Sequence, residues 1–376
     1  MTIPVQNGVR QPRMKVLANG AEIRCLSAEV HSNNHYRADT FSIEAALSAG
    51  SANDAKFWGD QTTVLIDIQF GFATGASGTA SFTSVFQGEI DHLDLHIPTG
   101  LIRADGRDLT ARLIDSKTHE TFLNKTSSQI ATDLAGRHGL TPVVTETQGL
   151  VSRFYKQDHD RITLGQFSKT TTEWDLLTYL AQNEGYDAYV KGQELHFEPS
   201  TDASTSSAIV VNYAPATQGG QSASPVCDVI DLRLERSLTL AKDIKVVAQS
   251  WHSGKGARVK SEVATAQGSG ASAGGGAKDA AQTVFRVYPN KTKDELDKIA
   301  KALLEELSRH ERVITYSQPG EAALTARSMV RLQGTGSSWD QLYYVDTISR
   351  SMRFDGGFVQ HVRCKNHSTD SDAAAP

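Results

Sequence analysis

Cysteine is scarce in this chain of 376 residues, which contains only three. Cys25, Cys227 and Cys364 lie far apart and form neither a C-x-x-C pair nor an even set. The spacing therefore excludes the disulfide framework that is typical of small secreted proteins. It predicts buried free thiols in a chain that is synthesised in a reducing compartment.

The sequence also lacks long apolar runs and a strong excess of either charge. The N-terminus, MTIPVQNGVRQPRMKVLANG, has no signal-peptide core, and no window approaches the ~20 apolar residues that cross a bilayer. We therefore expect synthesis in the cytoplasm and no membrane insertion. The net charge of -5 and the pI of about 6.2 indicate neither a basic nucleic-acid-binding chain nor an acidic disordered one.

The chain does contain abundant β-strand patterning. In residues 62–70, TTVLIDIQF, apolar side chains recur with a period of two, which places four of them on one strand face: Val64, Ile66, Ile68 and Phe70. Near-alternation returns in later stretches: AIVVNY, VIDLRLERSLTL, DIKVVAQSW, TARSMVRLQG, LYYVDTISRSM and GGFVQHVRCKN. The length suggests two or three domains, and the patterning predicts two β-rich halves.

Two helices are predicted between these β-rich halves. In NKTSSQIATDLAGRHGL, Thr126 or Ser127 can cap a helix that Gly139 ends. In TTTEWDLLTYLAQNEGY, apolar residues beginning with Trp174 recur at helical spacing, and Gly185 lies near the helix end. A hairpin should follow, with its turn at Lys191-Gly192-Gln193. Residues ~117–205 therefore read as a small α+β unit.

A third helix is predicted near residues 291–310. Its apolar side chains follow the spacing of one helix face: Leu296, Ile299, Ala300, Leu303, Leu304 and Leu307. The glycine-rich segment 268–276 precedes it and should be an exposed loop, because small residues bury too little surface to offset their ordering entropy. A phosphate-binding loop is disfavoured, since Lys278 is followed by Asp279 rather than Ser or Thr.

The stretch Asp105-Gly106-Arg107-Asp108 suggests either a catalytic cluster or a corner between strands. Asp-Gly is a favoured pair in type I′ hairpin turns, and the alternation in LTARL that follows predicts another strand. On a strand, Asp108 and Asp115 would face opposite sides, so they could not form an acid pair. We therefore interpret the motif as a corner, at which Arg107 beside Asp108 makes a structural ion pair or satisfies backbone groups.

Other chemical motifs in the sequence are incomplete. His119-Glu120 begins a zincin helix motif, but Leu123 occupies the position of the second histidine. His92 and His96 would lie about 13 Å apart along a strand, too far for one metal ion. No G-x-S-x-G nucleophile motif is present. The sequence thus predicts no catalytic, cofactor or metal site.

Five stretches, in order and spacing, resemble the late control protein D family. They are FQGEIDHLDL, GRDLTARLIDS, the Trp174 helix with EGYDAYVKGQELHFEP, LERSLTLAKDIKVVAQSWH and YYVDTISRSMRFDGGFVQHVRCKN. This family comprises baseplate hub proteins of contractile-tailed phages and is related to the hub part of type VI secretion spike proteins. The resemblance covers roughly residues 14–366. Its structural signature in this chain is Gly106, Arg107, Asp108, Trp174, Trp251 and Gly357.

The resemblance implies a mainly β fold with α+β insertions. Two similar antiparallel β-barrel domains would be joined by a small α/β domain, and the third helix would be an excursion from the second barrel. The expected division is an N-terminal extension 1–13, a first barrel 14–116, an α+β domain 117–205, a second barrel 206–366 and a flexible tail 367–376.

For function, the resemblance implies a structural hub in the tail baseplate of a virion. Three chains would close into a homotrimeric ring that joins a hexameric tail tube to a trimeric spike. The expected partners are a separate tail spike protein, a tube or tube-initiator protein and other baseplate proteins. DNA would pass transiently through the lumen, whose wall should be neutral or mildly acidic to avoid trapping phosphate. Glu89, Asp91 and Asp94 are candidates for that wall.

Two other classes of function are alternatives. A tail-tip cell-wall hydrolase would need a convergent acid pair in a sugar-sized cleft. A host-glycan or receptor-binding tail module would bind cells or glycans as an isolated protein, whereas a hub would bind its spike. For the four tryptophans, including Trp174 and Trp251, we expect packing in a core or an interface.

Overall fold

The computed structural model describes most of the chain, in residues 11–34, 36–47, 54–73, 80–117, 121–123, 125–151, 161–163, 172–200, 208–216, 224–238, 244–252, 257–264, 282–288, 291–308 and 311–366. The predicted glycine-rich loop 268–276, His119-Glu120 and the predicted tail 367–376 lie outside these residues. Among the described helices, none combines the length and apolarity needed to cross a membrane.

A first β unit is formed by seven strands and a short helix. The strands are β1 (Gln11–Ala18), β2 (Ala21–Ile23), β3 (Cys25–Asn33), β4 (Thr40–Ala46), β5 (Leu65–Ala73), β6 (Ala80–His96) and β7 (Leu101–Asp108). Helix α1 (Ala55–Asp60) lies between β4 and β5. The predicted alternation is confirmed in and before β5, because Val64, Ile66, Ile68 and Phe70 are all buried in the core of this unit.

An α+β unit follows directly. It contains α2 (Thr110–Asp115), β8 (Thr121–Leu123), α3 (Ser127–Arg137), β9 (Thr141–Val144), β10 (Arg161–Thr163), α4 (Glu173–Glu184), β11 (Tyr186–Lys191) and β12 (Glu194–Pro199). The predicted helix signals are confirmed: Thr126 caps α3 in a capping box with Gln129, and Gly185 ends α4 in the left-handed conformation. Gly192 likewise has positive φ in the predicted β11–β12 hairpin.

A second β unit occupies the remaining described residues. Its elements are β13 (Ala208–Ala214), β14 (Val226–Cys227), β15 (Ile230–Arg236), β16 (Ile244–His252), β17 (Ala257–Ala264), β18 (Gln282–Val287), α5 (Lys293–Ser308), β19 (Arg312–Pro319), β20 (Met329–Gln333), β21 (Leu342–Arg353) and β22 (Gly357–Asn366). Helix α5 packs with Leu296 and Ala300 on the separate three-stranded sheet β17-β16-β18. The predicted third helix and its apolar face are confirmed by this packing.

The two β units share one continuous sheet of 14 strands. Strand β21 joins them, because its first residues pair with β20 while residues from Thr347 onward pair with β3. It also pairs along its length with β22, so the far end of this hairpin places Met352 and Phe358 in the core of the first β unit. The mainly β fold is confirmed. In the part of the chain that the structure describes, the pairing of strands in this sheet does not close on itself. Closed barrels therefore stay a prediction.

The predicted turn at Asp105-Gly106 and the predicted strand LTARL are both wrong. Gly106 lies within β7, opposite Phe41 of β4 and Ile90 of β6. LTARL lies in and just before helix α2, where Leu109 and Leu113 are buried in the core of the α+β unit. Leu109 and Leu113 are four residues apart, so burial on one side selects the helical period over the strand period.

The three cysteines are free, as predicted, but only Cys364 is fully buried. Cys25 and Cys227 are half-buried. Burial raises the pKa of the Cys25 thiol to about 12, and it raises that of Cys364 further. Thiols held protonated in this way are poor nucleophiles, so these two side chains have a packing role.

Candidate functional site: the junction of the three units

Arg107 binds two carboxylates from different elements. Its guanidinium donates to both oxygens of Asp91 on β6, at 2.6 and 2.9 Å, and to both oxygens of Asp115 at the end of α2, at 3.1 and 2.8 Å. These hydrogen bonds raise the pKa of Arg107 and lower that of Asp115. The predicted structural ion pair therefore exists, with Asp91 and Asp115 as partners instead of Asp108. It fastens the helix of the α+β unit to the first β unit.

Gly106 allows two strands to approach closely. The pairing of β6 with β7 shifts between Ile90 and His92, so Asp91 is the extra residue of a β-bulge. A Cβ atom added at Gly106 would lie 2.0 Å from the backbone oxygen of Glu89 and 3.0 Å from the backbone nitrogen of Asp91. The glycine is thus needed beside the bulge that aims Asp91 at Arg107, and not for a turn.

Arg112 makes a second connection between the same units. It donates to Glu89 Oε1 at 2.5 Å and to the backbone oxygen of His138, just after α3, at 2.8 Å. Glu89 and Asp91 are therefore both neutralised by arginines, and only Asp94 of the three predicted wall residues has no charged partner described. These ion pairs are compatible with a neutral or mildly acidic wall, and the position of the three residues in a lumen stays a prediction.

Asp108 and Asp39 form a close pair of acids at the end of β7. The buried Asp108 carboxylate accepts a hydrogen bond from Thr110 N at 3.1 Å, which begins α2, and Asp108 N donates to the backbone oxygen of Asp39. Burial, and then the charge of Asp39, raise the pKa of Asp108 well above its ordinary value. Burial also raises the pKa of Asp39 to about 6, although Arg327 and Arg350 oppose the shift. Asp108 does lie at a strand corner, as predicted.

A buried ion pair lies where β21 passes between the two β units. The pairing of β21 with β22 shifts between Val345 and Thr347, which leaves Asp346 as the bulge residue. Its side chain is 1% exposed and accepts from Lys365 Nζ and Arg363 Nη1, each at 2.9 Å. Its backbone oxygen accepts from Asn34 N of the first β unit at 2.8 Å. One residue thus connects the bulge, β22 and the first β unit.

The segment after β3 contacts the α+β unit. Trp174 is buried in that unit, and its Nε1 donates to the backbone oxygen of Tyr36 at 3.0 Å. The Tyr36 hydroxyl in turn donates to the backbone oxygen of Tyr186 at 3.2 Å. The predicted core packing of Trp174 agrees with this position, and the side chain also connects two units.

Arg327 connects all three units. It belongs to the second β unit, and its guanidinium donates to the side-chain oxygen of Asn34 in the first. It lies 3.6 Å from a carboxylate oxygen of Asp187 and 3.9 Å from the ring centroid of Tyr189, both in the α+β unit. With Asp39 and Arg350 nearby, this cluster forms a polar joint between the units, which a structural protein can use to fix their relative orientation.

A cavity of about 400 Å³ opens on the sheet face beside this joint. Its lining comes from β3, β4, β19, β21 and β22 and includes the polar residues His31, Thr315, Thr347, Ser349 and His361, although most of the exposed lining surface is apolar. Asp39 and Asp108 do not line it, so the acid pair does not face this cavity. Among the described residues, no group of three or more potential ligands could hold a metal ion.

The remaining signature residues are Trp251 and Gly357, which occupy unrelated positions in the second β unit. Trp251 is 57% exposed on β16, so it does not pack in a core. Gly357 has φ of 72° at the start of β22, where the chain leaves the hairpin turn. Both positions stay predictions as functional signatures, since neither contacts the polar joint through a described interaction.

Sequence reasoning missed Asp346, Arg350 and Arg327. A signal for Arg350 was present, because alternation places it on the same strand face as Ile348 and Met352, and all three are buried. A charged residue at an inward position predicts a buried partner. Asp346 was not recognised because the bulge changes the alternation. Arg327 lies in the near-alternating stretch TARSMVRLQG but precedes β20, so the alternation did not indicate its contacts.

Comparison with known proteins gives matches in structure. No protein-family model matches the chain, and no curated protein matches it. The fold resembles that of a tail protein from Neisseria meningitidis, with a TM-score of 0.66 and 14% identity over 96% of this chain and 99% of that one. A 43 kDa tail protein of a Shewanella oneidensis prophage gives a TM-score of 0.65, with the same identity and coverage.

A component of the Escherichia coli type VI secretion system, itself structurally similar to tail proteins of bacteriophage T4, also matches. Its TM-score is 0.52, with 11% identity over 94% of this chain and 77% of that one. At these identities the comparisons establish the fold. The chain thus has the architecture found in phage tail proteins and in a type VI secretion component, in agreement with the resemblance in its sequence.

Proposed function

We propose that the protein is a structural hub of a phage-type tail baseplate, in which three copies form a ring between a hexameric tail tube and a trimeric spike. The observation that best supports this proposal is that strand β21 is shared by the two β units. One chain therefore presents two β modules, its first and second β units, in a fixed orientation. Three such chains would supply six modules to a six-fold tube. The similarity to tail proteins over nearly the whole chain supports the same role.

We propose a division into domains near the boundaries 14–116, 117–205 and 206–366, with the first boundary closer to residue 108, because Leu109 and Leu113 pack in the core of the α+β unit. Separate hydrophobic clusters support it, since the α+β unit has a core of its own around Leu177 and Phe197. The core of the first β unit, however, also contains Met352 and Phe358, so the barrels would be interlocked at this hairpin. That interlocking, with the polar joint, makes a rigid subunit of the kind that transmits load between tube and spike.

The expected partners are a tail spike protein, a tube or tube-initiator protein and other baseplate proteins, in a virion tail. DNA would pass through the ring without being held there. Glu89 pairs with Arg112, whereas Arg107 is shared between Asp91 and Asp115, which leaves that part of the first β unit mildly acidic and suits transient passage of a polyanion.

The decisive measurement is the absolute mass of the purified full-length protein by light scattering, followed by co-purification with its spike. A mass of three subunits and a stable complex with the spike are expected. A monomer at all concentrations that binds no spike would contradict the proposal.

The hydrolase and glycan-binding alternatives have less support. Two pairs of acids are described at the motif, Asp39 with Asp108 and Asp91 with Asp115 around Arg107, and none of the four residues lines the cavity. The cavity has hydroxyl and imidazole groups that can bind a sugar, so glycan binding is the better supported of the two alternatives. Peptidoglycan release by the purified protein would favour the first alternative, and binding to cells or glycans in the absence of a spike would favour the second.

A further inference from the structure

Phe354 is the most exposed large apolar side chain among the described residues, at 97%. It lies in the turn between β21 and β22, and its backbone N donates to the backbone oxygen of Leu26 at 3.2 Å. Met352 and Phe358 on either side of the turn are buried in the core of the first β unit. The aromatic ring is therefore held out from a well-anchored hairpin, and we refer to residues 354–356 as the Phe354 turn.

A second exposed apolar surface lies on the sheet β17-β16-β18. Strand β16 directs Val246 and Ala248 toward α5, so Trp251 lies on the opposite face. The register pairs Val247 with Phe285 and Gln249 with Val287. The side chains of Phe285 and Val287 therefore lie on the same face as Trp251. Trp251, Phe285 and Val287 are 57%, 60% and 73% exposed. We call this surface the Trp251 face.

The charges beside these two surfaces differ. On the Trp251 face, Arg258 is the cross-strand partner of Trp251, and Lys245 and Lys260 share the single carboxylate of Glu262. Beside Phe354, Asp355 is 88% exposed and lies 3.9 Å from the exposed Arg353. The face thus has an excess of positive charge among these residues, and the turn offers a carboxylate next to its aromatic ring.

We propose that the Phe354 turn of one copy docks on the Trp251 face of the next copy. The inference deepens the ring assembly proposed above and rests on it. Contact between two unlike surfaces of the same chain is heterologous, and such contacts close into rings when the rotation permits. Face-to-face pairing of two Trp251 faces is disfavoured, because it would oppose Arg258 and the two lysines with like charges.

This contact would alternate the units around the ring. The Phe354 turn lies over the core of the first β unit, whereas the Trp251 face belongs to the second β unit. Each junction between copies would therefore join a first unit to a second unit. First and second β units would therefore alternate around the three copies. Within each copy, the same two units are already neighbours because β21 joins them.

The test uses the full-length protein and light scattering after size-exclusion chromatography over a range of concentrations. Phe354→Ser and Trp251→Ser should each weaken association by about 30-fold or more, because aromatic anchors dominate interfaces of this kind. Ile97→Ser removes another exposed apolar side chain, 57% exposed, outside both surfaces and is the matched control. It should leave the mass unchanged.

Mixing the two variants separates a heterologous contact from a symmetric one. The Trp251→Ser copy retains Phe354, and the Phe354→Ser copy retains Trp251, so an equimolar mixture should form a 1:1 dimer that neither variant forms alone. Asp355→Arg and Arg258→Glu should each weaken the trimer, and the double variant should recover it.

The outcomes distinguish this contact from the ring itself. A wild-type trimer whose Phe354→Ser and Trp251→Ser variants remain trimeric would remove the contact and leave the ring in place. Failure of the mixture to form dimers would do the same. A wild type that stays monomeric at every concentration would overturn both proposals. Circular dichroism of each variant checks that the fold is retained.

Discussion

The two β units use charged residues in different ways. At the partly exposed boundary between the first β unit and the α+β unit, Arg107 of β7 and Arg112 of α2 form ion pairs. In the second β unit, Asp346 and Lys365 are both buried in the middle of the sheet that continues into the first unit. Exposed pairs contribute little free energy, whereas loss of one partner of a buried pair leaves an uncompensated charge.

This difference shows which contacts can tolerate change. Arg107 and Arg112 help to orient the two units at a boundary that the burial of Leu109 and Leu113 already stabilises. The ion pair at Asp346 has no such substitute, because it fills the bulge at which β21 leaves β20 and meets β3. The shared strand is therefore the more vulnerable part of the molecule.

The largest effect is expected from Asp346→Ala. It leaves Lys365 buried without its carboxylate, which should lower the free energy of unfolding by about 3–5 kcal/mol. Asp91→Ala removes an exposed partner of Arg107 and is the matched control, with an expected loss of about 1 kcal/mol or less. Urea unfolding followed by tryptophan fluorescence measures both. Equal losses for the two variants would contradict the distinction between the units.

Gly106→Ala should have the next largest effect. The added methyl group would overlap the backbone of Glu89, and relief requires the β6 bulge to move. We expect a loss of about 2–3 kcal/mol, typical of a steric insertion into a packed region. Gly136→Ala is the control, since nothing lies within 4 Å of its added Cβ atom. A Gly106→Ala protein as stable as this control would contradict the close approach of the two strands at Gly106.

Asp108→Ala should cost about 1–2 kcal/mol, because Thr110 N loses its acceptor at the start of α2. Asn keeps a side-chain oxygen that can accept from Thr110 N, and it removes a carboxyl group whose pKa burial raises. Asp108→Asn should therefore be close to wild type at neutral pH. Thermal unfolding and the mass of the assembly test both variants, and wild-type behaviour of Asp108→Ala would remove its role at the corner.

The smallest effect concerns pH. The pKa of Asp39 is raised to about 6 by burial, so the folded state binds a proton more tightly than the unfolded state. Stability from this group is therefore present at low pH and decreases as pH rises from about 4 to about 6. The full shift corresponds to about 3 kcal/mol, and the partial solvent exposure of Asp39 reduces the expected change to about 1–2 kcal/mol. Asp39→Asn should reduce the slope of that part of the stability profile, and Asp108, whose pKa is also raised, contributes the remaining slope. An unchanged slope between pH 4 and 6 would contradict the assignment.

Much of the fold followed from local patterns. The caps of α3 and α4, the β11–β12 hairpin and the apolar face of β5 were predicted because neighbouring residues determine them. The segment LTARL was mispredicted because its alternation fits a strand, while the core of the α+β unit selects a helix. Arg107 was correctly assigned to an ion pair, but its partners Asp91 and Asp115 depend on a bulge and on that helix.

By itself, the sequence determined the β-rich halves, the helices between them, the absence of a complete catalytic motif and the family that the chain resembles. These features depend on periodicity and on residues close together in the chain. Only the tertiary structure decided that β21 belongs to both β units, that Asp346 is buried at its bulge and that Phe354 projects from the hairpin. Each of these depends on strand register and on contacts between distant residues, which periodicity does not specify.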